Sequence, residues 1–149
     1  MANARGPSTI DDGGCHVYTE LGYVNTVNDN LILLARSEMS NNGKKIIADS
    51  IVWNSVDSIG EAFGNVVYTD VLNQNSMTGH YCYYNDKLGF SLGTDSACIM
   101  DYSQGPDTMY MHGDSIKMFT FNINTDSVYR VMHAYNHVRM YRRDIQGVC

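Results

Sequence analysis

The sequence predicts an all-β domain assembled from repeated strand-sized units, and three observations carry that expectation. Short apolar segments recur at roughly 8–12-residue spacing between Gly, Asn, Asp or Ser corners, the pattern of a sandwich, barrel or solenoid. From Gly60 to Asp70 the chain alternates strictly: Ala62, Gly64, Val66 and Tyr68 share one face, and Glu61, Phe63, Asn65, Val67 and Thr69 the other. Short patterns also return. Ala48-Asp49-Ser50-Ile51 recurs as Gly113-Asp114-Ser115-Ile116, Ala62-Phe63-Gly64-Asn65-Val66 as Ala134-Tyr135-Asn136-His137-Val138, and Tyr23-Val24-Asn25 as Tyr83-Tyr84-Asn85. Recurrence of this kind points to one β unit laid down several times, each copy burying its apolar face on the next.

Taken in order, residues 1–16 are polar and Gly-rich, with Gly6-Pro7 as a turn opener that leads into a first strand. The same Gly-Pro opening returns at Gly105-Pro106. Residues 17–24 form the next strand, closed by a polar corner at 25–30. Residues 31–35 are a short apolar run whose length favours a buried strand, although a helical turn also fits. Ser40-Asn41-Asn42-Gly43 is a strong turn, because Asn and Gly tolerate positive φ. Residues 45–53 follow as one strand, then a corner at 54–58 and the alternating strand, where Gly64 fits a bend or a close backbone approach.

Asn73-Gln74-Asn75 turns into a strand over 77–84, with Met77, Gly79, Tyr81 and Tyr83 on one face by period two. Further strands are expected at 89–92, 97–102, 108–112, 115–121 and 128–140, with turns at 85–87, 93–95, 103–106 and 122–124. Asp-Ser occurs five times, at 49, 57, 95, 114 and 126, and reads as strand-end corners because Asx and Ser side chains bond nearby backbone. A calcium-binding reading lacks the Gly-rich nonapeptide such repeats need. Helical pieces, if any, are short.

Composition narrows the function classes. The chain has 149 residues, enough for one domain over 1–149 with a substantial core, and it begins and stops inside its own pattern, as a piece of a longer chain does. A net charge of −6 opposes nucleic-acid binding, and the basic cluster Arg139, Arg142 and Arg143 reads as a solvated strand end. No apolar run of roughly 18 residues spans a membrane, and the amino end shows no signal-peptide h-region. Cys15, Cys82, Cys98 and Cys149 have no zinc spacing and read as free thiols, although Cys82 and Cys98 are close enough in sequence to meet across a hairpin.

No catalytic motif is present. His133 and His137 fall four apart without the glutamate of a zincin, and in a strand they would lie about 13 Å apart, too far to share a metal ion. No serine sits in a nucleophile elbow, and Asp11-Asp12 is a turn by context. The chain is therefore read as a non-enzyme without cofactor or metal. Its distinctive feature is soft and aromatic side chain: Met77, Met109, Met111, Met118, Met132 and Met140, with Tyr68, Tyr81, Tyr83, Phe119, Phe121 and Trp53, can line an adaptable apolar surface or fill an ordinary core.

The stretches KKIIADSIVW, GEAFGNVVYTD, NSMTGHYCYYND and YMHGDSIKMF resemble the OstA-like family of Bacteroidetes-type envelope proteins, which is similar to LptA. The resemblance is close over 43–149 and looser over 6–42. It implies an open-ended β-jellyroll of stacked antiparallel strands in the periplasm. An apolar groove would take the acyl chains of lipopolysaccharide or a related glycolipid. Members would pair edge to edge, with each other or head to tail as homo-oligomers. By this resemblance Ala62, Gly64 and Val66, with Ala134 and Val138 in the later copy, face the groove. Tyr68, Met77, Tyr81, Tyr83, Met111, Met118 and Met140 complete the expected lining. A ligand-free structural β-solenoid and a carbohydrate-binding β-helix are the rival readings.

Overall fold

In the computed structural model, residues 2–12, 14–25, 30–41, 43–103, 105, 107–122, 125–142 and 145–148 are described. The elements are all strands. They are β1 (Ala2–Asp12), β2 (Cys15–Asn25), β3 (Asn30–Leu33), β4 (Ser37–Asn41), β5 (Lys44–Ala48), β6 (Ser50–Asn54), β7 (Ile59–Asp70), β8 (Asn75–Asn85), β9 (Phe90–Asp101), β10 (Met109–Phe121), β11 (Tyr129–Tyr135), β12 (Arg139–Arg142) and β13 (Ile145–Val148). All join in one 13-stranded sheet, and every pairing is antiparallel. The sheet is an up-and-down meander in which β3 with β4, β5 with β6, and β11 with β12 each act as one interrupted rung.

Each long rung bends once, and the bends line up as a seam. Register shifts fall between Arg5 and Ser8, Phe63 and Val66, Thr78 and Tyr81, and Gly113 and Ser115. The three interrupted rungs break on the same line, where Leu34 N–H donates to Leu21 O, Asp49 N–H to Gly64 O and Asp114 N–H to Asn136 O. Bulges bend a strand and increase its local twist. In a row they fold the sheet into two legs. Leg I holds β4, β5, β12 and β13; leg II holds β3, β6 and β11; each longer strand contributes one half to each leg.

The fold across the seam is evident in one contact. Tyr68 pairs with Met77 in leg I, so Tyr84 lies seven residues further along the same neighbouring strand, about 23 Å away in a flat sheet. Yet the Tyr68 and Tyr84 rings sit 5.0 Å apart. Only face-to-face legs allow that.

The recurring sequence patterns are the seam itself. Ile51 pairs with Ala62 and Ser50 with Phe63; in the later copy Ile116 pairs with Ala134 and Ser115 with Tyr135. Gly64 and Asn65 in one copy, and Asn136 and His137 in the other, all have positive φ, a region that Gly, Asn, Asp and His enter most readily. The aspartate closes each corner: Asn65 Nδ2 donates to Asp49 Oδ2 at 3.3 Å, and His137 Nδ1 lies 2.9 Å from Asp114 Oδ2. Arg36 adds a 2.8 Å bond to Asp49 Oδ1 in the first copy.

Several sequence expectations shift accordingly. The single strand expected over 45–53 breaks at Asp49, the turn expected at 93–95 lies inside β9, and the segments expected at 108–112 and 115–121 are one strand, β10. The strand expected over 128–140 breaks after Tyr135, and Gly6-Pro7 is a bulge within β1 rather than a turn. β4 was not expected, because Met39 is the single large apolar residue in it. Of the Asp-Ser pairs, those at 49, 95 and 114 lie on the seam, while those at 57 and 126 lie in end turns. The corner expected at 25–30 falls largely outside the described residues, as do Asn42 and parts of the turns at 103–106 and 122–124.

The end turns share one chemistry. Turns 55–58, 71–74 and 86–89 each finish on a positive-φ residue, Ser58, Gln74 and Gly89. The side chains of Asn54, Asp70 and Asn85 accept the backbone N–H three residues on, at 2.9, 3.1 and 3.1 Å.

Candidate functional site

The inner faces of the legs carry continuous apolar rows. In leg I, successive cross-strand partners are Ile10, Val17, Met39, Ile46, Tyr68, Met77, Ile99, Met111 and Met140. In leg II, Leu33, Ile51, Ala62, Cys82, Gly93, Ile116 and Ala134 follow one another. A second row in that leg runs Leu31, Trp53, Gly60, Tyr84, Ser91, Met118 and Met132. Residues of both legs form one buried cluster, in which Leu33, Ile51, Met77, Ile99 and Ile116 are essentially inaccessible. Each such side chain contributes about 1.5–3 kcal/mol by leaving water. Towards the two ends of the stack Ile10, Leu31, Met111 and Met132 are only partly buried.

The middle of this interior is filled and its rim is latched. Tyr68 touches Tyr84 across the legs, and two ion pairs cross at the rim: Lys44 of leg I with Asp86 of leg II, and Asp70 of leg I with Arg130 of leg II, both at 3.9 Å. The Lys44–Asp86 pair, loose and half-exposed on both sides, is worth about 0–1 kcal/mol, whereas Asp70 is buried beneath Arg130. Asp70 does not depend on Arg130, since its carboxylate also accepts from Asn73 backbone and side chain at 3.1 and 2.6 Å.

Hollows flank the tyrosines. One of about 80 Å³ is lined by Cys15, Met39, Ile46, Trp53, Tyr68 and Tyr84. On the other side, hollows of about 480 and 420 Å³ share Leu72, Asn73, Met118, Val128 and Arg130 and reach Phe90, Ile99 and Met132. Gly60 helps shape the smaller one: a Cβ there would stand 2.6 Å from the Trp53 ring, so the indole lies against bare backbone.

The expected lining residues divide. Ala62, Val66, Tyr68, Met77 and Met118 are buried in the interior, and Met111 and Ala134 pack against it half-buried. Met140 is half-buried and continues the leg I row. Tyr81 and Tyr83 lie on the outer face instead, where Tyr81 meets Phe63 at 5.2 Å and Tyr83 meets Phe90 at 5.9 Å. The bulge beside Gly79 and His80 reverses the phase of β8, so Met77 points in on one side of it and Cys82 and Tyr84 on the other. Gly64 sits on the seam against Asp49, and Val138 is half-buried in the break between β11 and β12.

Residues that sequence reasoning missed are Tyr84 and the rim set Lys44, Asp70, Asp86 and Arg130. Gly79 was the available signal for the first, as an interior strand glycine often marks a bulge. The rim set had none.

Burial raises the Tyr84 phenol well above its ordinary range, and burial followed by the Asp70 and Asp86 carboxylates raises Tyr68, so both act as neutral hydroxyls. Cys82 and Cys98 are free thiols and lie on opposite faces. Burial pushes Cys82 up to about 11 from 9.0. At pH 8 it should hold roughly 100-fold less thiolate than an unshifted thiol. It is expected to be alkylated after Cys98, which mass spectrometry of partly alkylated protein checks. The folded state favours the neutral thiol, so this contribution to stability is complete below pH 9 and falls as pH rises towards 11.

His133 stands edge-on to Phe119 at 5.7 Å, whereas His137 belongs to the seam with Asp114. No group of three or more His, Cys, Asp or Glu gathers as a metal site among the described residues. Arg139 is exposed and Arg142 half-buried on β12, while Arg143 lies outside the described residues.

No protein-family model matches the chain, and no curated protein matches it. Among solved structures, the chain is similar to LptH of Pseudomonas aeruginosa, described as the LptA-homologous periplasmic component of the conserved lipopolysaccharide transport device. The two share 9% sequence identity, the match covers 82% of each chain, and the TM-score is 0.61. At that identity the likeness lies in the backbone path and in the all-β architecture. The seam-folded meander described above thus has an LptA-like fold.

Proposed function

We propose that this chain binds lipopolysaccharide or a related glycolipid by its acyl chains between the two legs, and acts as a periplasmic bridge or chaperone in its transport to the outer membrane. The observation that carries the reading is the pair of facing apolar rows in a fold shared with LptH. Acyl chains gain about 0.8 kcal/mol per buried methylene, so a few methylenes outweigh the exposed rim pair of Lys44 and Asp86. Binding then requires Tyr68 to leave Tyr84 and the chain to enter the flanking hollows, whose methionines adapt to irregular shapes. No cofactor is invoked; directional energy comes from elsewhere.

The sheet edges supply the partner contact in this reading. Among the described residues, β1 and β11 are each paired on one side only, with β2 and β10, and β13 is paired only with β12. An unpaired edge invites another strand, either from a further transport protein of the same fold or from a second copy head to tail. The resemblance to the OstA-like proteins of the Bacteroidetes type agrees with this role.

The test is a titration with a lipid A-like amphiphile below its aggregation concentration, read by the fluorescence of Trp53, the single tryptophan. A saturable change is expected. A flat signal up to solubility, together with no co-migrating lipid, would favour a ligand-free structural segment.

A further inference from the structure

The Tyr84 hydroxyl is the anomaly of the interior. Tyr84 is only 4% exposed, and its Oη finds no hydrogen-bond partner among the described residues. The Cys82 thiol next to it on the inner face engages it only as a weak acceptor, short of full hydrogen-bonding geometry. A buried hydroxyl left unpaired is destabilising, and native structures rarely carry one without a reason. The Tyr84 side chain borders the hollows on both sides of the tyrosine contact, with the hydroxyl itself covered.

Its depth is informative. Tyr84 occupies the inner position next to the rim, two residues before Asp86, whose carboxylate faces Lys44 at 3.9 Å. Outward lie the charged rim groups; inward lie Cys82, Ala62 and Ile51, all buried. An amphiphile entering over the rim would pass from headgroup to hydrocarbon at this level. The atoms at that junction are the carbonyl oxygens by which acyl chains are joined as esters or amides.

We infer that Tyr84 is a specificity-determining residue, its hydroxyl donating a hydrogen bond to the linkage carbonyl of an acyl chain held between the legs. The inference rests on the reading of the interior as an acyl-chain site. It assigns the ligand class as ester- or amide-linked acyl amphiphiles, in preference to hydrocarbon chains without a carbonyl.

The experiment compares two lysophospholipids of equal chain length and headgroup, one ester-linked and one ether-linked, with the wild-type protein and Tyr84→Phe. The wild type should prefer the ester by about two- to tenfold, the worth of one neutral hydrogen bond. Tyr84→Phe should bind both alike, at the ether affinity, and should unfold at a higher temperature than the wild type because the unpaired hydroxyl is gone. Equal affinities in the wild type, or an ester preference that survives in Tyr84→Phe, would overturn the inference while leaving the acyl-chain reading intact. A lower melting temperature for Tyr84→Phe would also overturn it, by revealing a partner in the free protein. Failure of either lipid to bind either protein would remove both the inference and the reading beneath it.

Discussion

Replacing Tyr68 with alanine is expected to lower folding stability by about 3–5 kcal/mol, the usual cost of deleting a large buried ring. Tyr68 is 7% exposed and holds leg I to leg II through its 5.0 Å contact with Tyr84. Its removal should also merge the hollows on either side of that contact. The variant is therefore expected to lose stability and gain capacity: denaturant unfolding shifts down, while the folded fraction binds longer or additional acyl chains. Tyr68→Phe keeps the ring and should retain most of the stability. Loss of stability with no change in amphiphile capacity would mean that the interior is only a core.

The second large effect is at the seam. Gly64 has φ +78°, and a Cβ there would stand 2.9 Å from the Asp49 Cβ. Valine at this position meets both the left-handed backbone and the aspartate that Arg36 and Asn65 hold. A loss of about 2–4 kcal/mol is expected. The equivalent position in the later copy is Asn136, which already carries a Cβ at φ 56°. Asn136→Val should cost less, about 1–2 kcal/mol. Equal losses at the two positions in urea unfolding would mean that the Asp49 contact does not constrain the first corner.

Much of the strand series was legible in the sequence because period two and Asx-Gly corners report local geometry. The alternation of Ala62, Val66 and Tyr68 survives in β7, where the bulge leaves the phase of the strand intact. The recurring ADSI/GDSI and AFGNV/AYNHV patterns were visible as repeats, but what repeats is a cross-strand bend, with partners supplied by a neighbouring rung. Period two also fails wherever a bulge reverses it, which is why Tyr81 and Tyr83 were expected inside and Tyr84 was not. Lys44, Asp70, Asp86 and Arg130 meet only because the sheet is folded on itself, a relation that no local pattern encodes.

The most direct measurement uses protein carrying ¹³C-methyl methionine and an acyl amphiphile at saturation, with intermolecular NOEs recorded from chain methylenes to each methyl. Met118, Met111 and Met132 face the space between the legs, whereas Met100 lies on the outer face of β9. NOEs to the inner methyls and none to Met100 are expected. Contacts to Met100 with silence from the inner methyls would contradict the claim that hydrocarbon enters between the folded halves of the sheet.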